Sequence, residues 1–435
     1  MIRRISFNSG VNIYRKFNVF IIHIIILFAF ICPTTKYLYK KKQMSVYGRL
    51  NVWTTSKDII KDNYFGIGIG NYSIYSCKYQ ALYYARNSNS INRISADITN
   101  HPYSSILLVL IEEGLIGGIL ILFLSIVSSY KSIKIIFNFA KNISKSQNSI
   151  NNYTLIIVAN SFVVIGFVVM SLIYTTTNIV PICLIYFYSL GMIVDSDNNI
   201  YSRRKYIIGK INYCLIAIML SLILIFSIIM MIYNIRIFNA WKKYHYSYNM
   251  SLVDSKKNVA FKYTTNIIND LSWDGQFMHF CGNAYLFYGD ANSAIQCFNI
   301  AREHYSNPFM YENLGISYLL KKNSIIKNKE SNDVFLSIYN NKAIDCMTFA
   351  SDILPWRIKP KYYLMNIYYS MRDTNNAIKY AQLVVDTPMK KYTERGAEMK
   401  KAAQKMLNEL GIPCDDPGIV VFDIHDRSTW NEGKW

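Results

Sequence analysis

Five long apolar runs, at residues 17–34, 115–130, 153–174, 179–194 and 207–233, constrain this chain more than any other feature. A helix needs some 20 apolar residues to cross a hydrocarbon core of about 30 Å, and helices satisfy their own backbone polar groups there. The runs therefore predict an all-α fold with about five transmembrane helices, the first, second and fourth near the lower length limit. The 435 residues are 52% hydrophobic and 17% charged, too apolar for a wholly soluble chain and too charged for one that is all membrane. A membrane part and a soluble part are expected.

The first run follows Arg3, Arg4, Arg15 and Lys16, as a secretory signal would. No small-x-small cleavage site follows it, so it reads as a retained anchor. Short-loop positive charge sits at the N-terminus, on Lys134 and Lys141, and on Arg203, Arg204 and Lys205. The positive-inside rule puts these on the cytoplasmic side. Residues 38–104 and everything after 233 then lie on the outer face, and the protein is expected to be multi-pass in a bacterial inner membrane. The formal charge of +20 is spread along an Ile/Asn/Lys/Tyr-rich sequence with no basic-aromatic recognition motif, which argues against nucleic acid as a partner. The eight cysteines form no CxxC and no zinc-type spacing, so no metal, cofactor or redox motif is expected and buried thiols are the plain reading.

The region 234–411 is repetitive. Gly282-x-x-Tyr285 with Ala294, Phe298 and Ala301 recurs as Gly315-x-x-Tyr318 with Ala343, Met347, Ala350 and Pro355, and more weakly as Met365-x-x-Tyr368 with Ala377 and Ala381. These are tetratricopeptide spacings: small residues let two helices approach, and large ones fill the gap between hairpins. The second unit requires a polar insertion near residues 323–341. Helices at 258–271 and 393–410 serve as flanking or capping helices, and 412–435 reads as a loosely packed tail.

The chain thus divides into a tail and first span (1–37), an outer loop (38–104), a membrane region of about four helices (105–233), a helical repeat domain (234–411) and a tail (412–435). At the loop's end, His101 and the pair Glu112-Glu113 stand against an apolar run. Ionisable groups there cost about 2.5 to 3.5 kcal/mol if they face lipid, so they are expected to face protein, water or substrate. Upstream lie Arg49-x-x-x-Trp53, Gly66-Ile67-Gly68-Ile69-Gly70 and, beyond Glu112, Gly114 and Gly117. This order resembles the large extracytoplasmic loop and following helix of the O-antigen ligase and polymerase family, whose pattern runs Arg-x-x-x-Trp, a helix, Pro-x-x-Gly-x-Gly, a His near an Asn, and Glu-x-Gly-x-x-Gly. Members with a C-terminal tetratricopeptide domain agree with the second region.

The resemblance implies a membrane glycosyltransferase that moves a polyprenyl-diphosphate-linked glycan to a lipid A core or similar acceptor. A polymerase or a protein O-oligosaccharyltransferase would use the same loop, with only the acceptor differing. The chain departs from the family in having Ser104 where the amide partner of the histidine is expected. It also has fewer membrane helices, like a C-terminal half, so a truncated, non-catalytic scaffold that binds partners through its repeats is the reading from a different class. Within the enzyme reading, Arg49 is first choice to bind the diphosphate, since a guanidinium fork matches phosphate oxygens. Its alternative is an interfacial arginine pairing with lipid headgroups. His101 is the candidate base for the acceptor hydroxyl, or else a packing residue. Arg86 and Arg93 are secondary diphosphate candidates. Glu112 either orients His101 or an arginine, or sits at a helix N-terminus where the dipole favours it. Gly66, Gly68 and Gly70 lack a surrounding Rossmann unit and read as turn glycines. Trp53, Tyr64, Tyr72 and Tyr103 read as an interfacial aromatic belt, with sugar stacking open to them.

Overall fold

A computed structural model describes residues 42–86, 93–145, 152–201, 213–251, 257–327 and 333–412. The first expected span, residues 207–212 of the last, and the tail from 413 lie outside the described residues. Those described are helical, with no strand among them.

The loop region before the second expected span is itself folded. Helices α1 (Gln43–Asp62), α2 (Tyr72–Arg86) and α3 (Ser105–Glu112) close on a small core of Ile59, Ile67, Tyr72, Leu108 and Ile111. Tyr72 is 1% exposed, with its hydroxyl 3.4 Å from that of Ser56, so it belongs to this core and not to an aromatic belt. The apolar stretch from Ser105 onward is cut into two helices, and the expected span 115–130 lies within the second. Backbone turns at Gly114, whose φ is +75°, and α4 (Gly114–Lys145) sets off from there.

Beyond α4, the membrane region holds α5 (Asn152–Ile173), α6 (Val180–Tyr201) and α7 (Tyr213–Ser251). Three described stretches are long and apolar enough to cross a membrane: Gly114–Lys141, Asn152–Ile173 and Ile218–Met250. The fourth expected span is shorter in its apolar part, Val180–Val194, so the described residues hold three long spans and one short one, the first expected span lying outside them. If α4, α5 and α7 cross, the tertiary contacts make α6 a fourth crossing. Ser105 N–H donates to Tyr174 O (3.2 Å) just past the end of α5, which places the α5–α6 turn on the loop's side. Trp356 Nε1 donates to Ala96 O (2.8 Å), which places the C-terminal helices on that side as well. With α7 leading to those helices, α6 must carry the chain away first.

Helix α7 runs unbroken out of the membrane into the C-terminal region, where Ala240, Trp241 and Tyr244 join the core around Phe277. There follow α8 (Lys257–Asn266), α9 (Ile268–Leu271), α10 (Gly275–Phe287), α11 (Ala291–His304), α12 (Pro308–Lys327), α13 (Asp333–Ile353), α14 (Ile358–Ser370), α15 (Thr374–Asp386) and α16 (Glu394–Glu409). Asp274, Asp290, Asp373 and Thr393 each accept a backbone N–H at the start of a helix, satisfying donors that the first turn leaves open. Gly282 packs so closely on Phe298 that a Cβ would lie 2.5 Å from its ring, and Gly315 meets Met347 in the same way at 2.9 Å. The small and large residues of the repeat spacing thus pair within consecutive helices. The polar stretch 323–341 is not a loop where described: 323–327 extends α12 and 333–341 opens α13.

Candidate functional site

Two glycine motifs, about fifty residues apart, interlock to set the membrane edge of the loop. Ile67 N–H donates to Ile111 O (3.0 Å), Gly68 N–H to Glu112 O (2.9 Å) and Leu115 N–H to Tyr64 O (2.9 Å). Gly66, Gly68 and Gly70 all have φ between 83° and 88°, a region that a Cβ disfavours. They are turn glycines whose backbone docks on the α3–α4 break. Gly117 has its own tight contact: a Cβ there would lie 2.5 Å from that of Glu113.

Glu112 ends α3 instead of starting a helix. Its Oε1 accepts from Tyr72 N–H (3.4 Å) at the N-terminus of α2, and a second backbone bond comes from Gly70. A carboxylate at a helix N-terminus is what the dipole favours, but the helix is α2, not the membrane helix downstream. Partial burial raises its pKa, and the two backbone donors oppose the shift.

His101 precedes α3 on a short loop. Trp53 Nε1 donates to Pro102 O (3.0 Å), tying that loop to α1. Ser104 does not partner the histidine: its Oγ accepts from Leu107 N–H (3.3 Å) as the cap of α3 and donates to Ser171 O (3.2 Å). The amide at His101 comes from elsewhere. Asn178 Nδ2 lies 3.0 Å from Nε2 and 3.2 Å from Nδ1, delivered by the 3₁₀ turn Thr176–Asn178 between α5 and α6. An amide N–H₂ only donates, so it needs an unprotonated ring nitrogen. Burial acts in the same direction, holding the imidazole below the usual histidine range. The turn is pinned by Ser105, whose Oγ accepts from Thr177 N–H (3.2 Å) and lies 3.1 Å from Thr176 Oγ1.

Arg49 lies on the exposed face of α1, with its guanidinium 5.1 Å from the centre of the Tyr103 ring. Tyr103 holds that place with φ of +57°, an uncommon conformation for a side chain of its size. Both line a cavity of about 220 Å³ with Asn51, Gln80, Tyr84, Ser95, Asp97, Thr99 and Lys390. Buried amides build its floor. Asn51 Nδ2 donates to Tyr84 OH (3.1 Å) and Ser95 Oγ (2.9 Å), and Gln80 Nε2 donates to Asp97 O (3.1 Å) and Ile353 O (2.9 Å). Among the described residues no carboxylate pairs with Arg49, so its five N–H donors are available to an anion.

The C-terminal helices complete this cavity. Cys77, Ala81, Tyr84 and Ala96 of the loop share one core with Ile353, Leu354 and Trp356. Lys390 reaches the cavity rim, 4.9 Å over the Trp356 ring and 3.5 Å from Ala96 O. Desolvation lowers its pKa, and Asp97 opposes that shift.

The remaining candidates stand apart from the cavity. Arg93 turns inward, donating to Tyr84 O (3.4 Å) and facing Asp352, and Arg86 is exposed at the end of α2. Trp53 positions the histidine loop rather than lining the cavity. Sequence reasoning missed Asn178 and Lys390. The polar run Thr175-Thr176-Thr177-Asn178 between two apolar spans was a usable signal for the first, whereas nothing local marks the second.

Residues 3–122 match the family model described as O-Antigen ligase, a little over a quarter of the chain. The match takes in Arg49, the Gly66–Gly70 motif, His101 and Glu112 and supports the O-antigen ligase family of membrane glycosyltransferases, ligase- or polymerase-like. A search of curated proteins finds no match to the chain.

Proposed function

We propose that this protein is an O-antigen ligase-type glycosyltransferase that transfers a glycan from a polyprenyl diphosphate to an acceptor hydroxyl on the extracytoplasmic face. The observation that carries this reading is the Arg49 guanidinium at the cavity, with no carboxylate partner among the described residues, on the same loop as a histidine whose pKa is lowered. In the reaction the anomeric C–O bond to the diphosphate breaks and the acceptor oxygen forms the new glycosidic bond. The acceptor hydroxyl displaces the Asn178 amide at the one unprotonated nitrogen of His101 and passes its proton there, and polyprenyl diphosphate leaves with its charge stabilised by Arg49 and Lys390. A neutral imidazole is the form a base requires, and the preset fork of Arg49 matches a diphosphate oxygen pair.

The C-terminal helix pairs are read here as a tetratricopeptide-type array whose docking on the loop gives the site its second cation. Ligase, polymerase and protein oligosaccharyltransferase chemistry differ only in the acceptor. The test is therefore reconstitution of the full chain in lipid nanodiscs with a lipid-linked glycan and each acceptor class in turn. Arg49→Ala and His101→Ala should each lower transfer by about 10²- to 10⁴-fold at unchanged protein level. Transfer that survives both changes refutes the assignment, and transfer to a second lipid-linked glycan alone would make the enzyme a polymerase.

A further inference from the structure

A second cavity, of about 380 Å³, opens on the C-terminal helices beside the first. Its wall carries five cations, Arg357, Lys359, Lys390, Lys391 and Arg395, and no carboxylate. Glu312, 1% exposed, accepts from Arg357 and lies 3.3 Å from the Lys359 ammonium, so one buried charge answers two of the five. Among the described residues no carboxylate pairs with Lys390, Lys391 or Arg395, and the last two are exposed. Lys390 lines both cavities and makes them neighbours.

We propose that this groove binds the sugar chain of an acidic glycan through its carboxylate or phosphate groups. The proposal rests on the transferase reading above and adds a substrate class to it: the glycan handled is anionic, and the repeat helices hold the chain while Arg49 engages the diphosphate end. Three observations lead here. A concave wall of one sign concentrates anions and raises their local density. The volume falls within the range of small-ligand sites, and Arg395 offers a planar fork suited to a carboxylate. Trp356 lines the same wall and brings an aromatic ring to it, the side-chain type on which sugars stack. Continuity through Lys390 with the transfer cavity is what favours a sugar chain over an unrelated polyanion.

The full chain in lipid nanodiscs is titrated with four probes. They are an oligosaccharide of alternating uronic acid and N-acetylhexosamine, a neutral oligosaccharide of equal length, inorganic diphosphate and inorganic polyphosphate. The acidic oligosaccharide should bind at least tenfold tighter than the neutral one and than polyphosphate. The exposed double change Lys391→Gln, Arg395→Gln should weaken that binding about tenfold and leave diphosphate binding unchanged, whereas Arg49→Ala should do the reverse. The charge-conserving pair Lys391→Arg, Arg395→Lys should keep acidic-oligosaccharide binding and serves as the folding control. To separate the donor's chain from a glycan on the acceptor, the wild type is preloaded with a lipid-linked acidic glycan. Loss of free-oligosaccharide binding assigns the groove to the donor chain, and undiminished binding assigns it to the acceptor. Equal binding of acidic and neutral oligosaccharides, polyphosphate binding as tight as the acidic sugar, or indifference to the double change overturns the proposal. These are binding readouts, so a failure of the transferase reading, seen as transfer surviving Arg49→Ala and His101→Ala, is registered separately.

Discussion

Gly66 and Gly114 face each other with no room for a side chain on either: a Cβ on Gly66 would lie 2.5 Å from Gly114 N, and one on Gly114 2.6 Å from Gly66 N. Both have positive φ, at 88° and 75°. The obstructing atoms are backbone and cannot swing aside. Gly66→Ala or Gly114→Ala should therefore combine the 1–2 kcal/mol cost of a left-handed Cβ with a clash, and cost the loop more than about 2 kcal/mol. Gly70 is the internal comparison, with φ of 83° and nothing within 4 Å of a Cβ, so Gly70→Ala should cost only the conformational part. Thermal unfolding of the detergent-solubilised variants measures the difference; equal losses at all three positions would refute the interlock.

The docking of the C-terminal helices on the loop depends on Trp356. Trp356→Phe removes the bond to Ala96 O and should cost about 1 kcal/mol, while Trp356→Ala also empties its place in the shared core and should cost about 3–5 kcal/mol. Cys77 reports on this contact. It is buried there with its Sγ 3.6 Å from Ser306 O, and desolvation pushes its thiol up to about 11, so little of it is thiolate at neutral pH. Alkylation at Cys77, followed by mass spectrometry, should be slow in the wild type and faster in Trp356→Ala. An unchanged rate would mean that the helices do not dock through Trp356.

His101 sets a pH limb. Its folded pKa lies below the ordinary histidine value of about 6.5 because burial penalises the imidazolium. In the proposed transfer the neutral ring is the base, so kcat/KM should be flat above about pH 6.5 and fall as pH drops through the lower folded value. Stability follows the same sign: the contribution is full above the unfolded pKa and is lost as pH falls through the folded one. Asn178→Ala removes an amide donor that only the unprotonated ring can accept, which should raise the ring's pKa and move the limb toward higher pH. A limb that stays put in this variant would leave Asn178 without a role at His101.

Lys361 is buried on α14, its ammonium donating to Pro355 O (2.5 Å) and Thr387 Oγ1 (2.6 Å). Desolvation, with Arg93 and Lys400 adding to it, lowers its pKa to about 7, against the usual value near 10.4. Between those values the unfolded chain binds more protons than the folded one, so stability should rise with pH from about 7 upward. The slope from this one group is about 1.4 kcal/mol per pH unit. Lys361→Met should flatten the rise between pH 7 and 9, read as the difference between wild-type and variant unfolding midpoints. Parallel curves would show that Lys361 is charged in the folded state at pH 9.

Much of this architecture was legible in the residues themselves. The apolar runs announced the membrane helices, because span length follows from hydropathy alone. Gly282 and Gly315 announced close helix approach, because only a glycine admits Phe298 or Met347 so near. The expected span at 115–130 began at the break by Gly114; what the sequence did not carry was its cause, the loop at Gly66 docking on the backbone between α3 and α4. Tyr72 was misread for a similar reason, since a tyrosine near a membrane suits the interface until its neighbours enclose it.

The sequence by itself determined what is periodic or local: an all-helical chain, apolar spans, a loop with turn glycines, and paired helices of repeat spacing. Tertiary structure alone decided which groups meet. It put Asn178 rather than Ser104 at His101, assigned Glu112 to the start of α2, turned Arg93 away from the cavity and brought Lys390 to the side of Arg49. Lys390 lies some 340 positions beyond Arg49 in the chain, and no local propensity encodes an encounter at that separation. It exists because Trp356 locks the C-terminal helices to the loop.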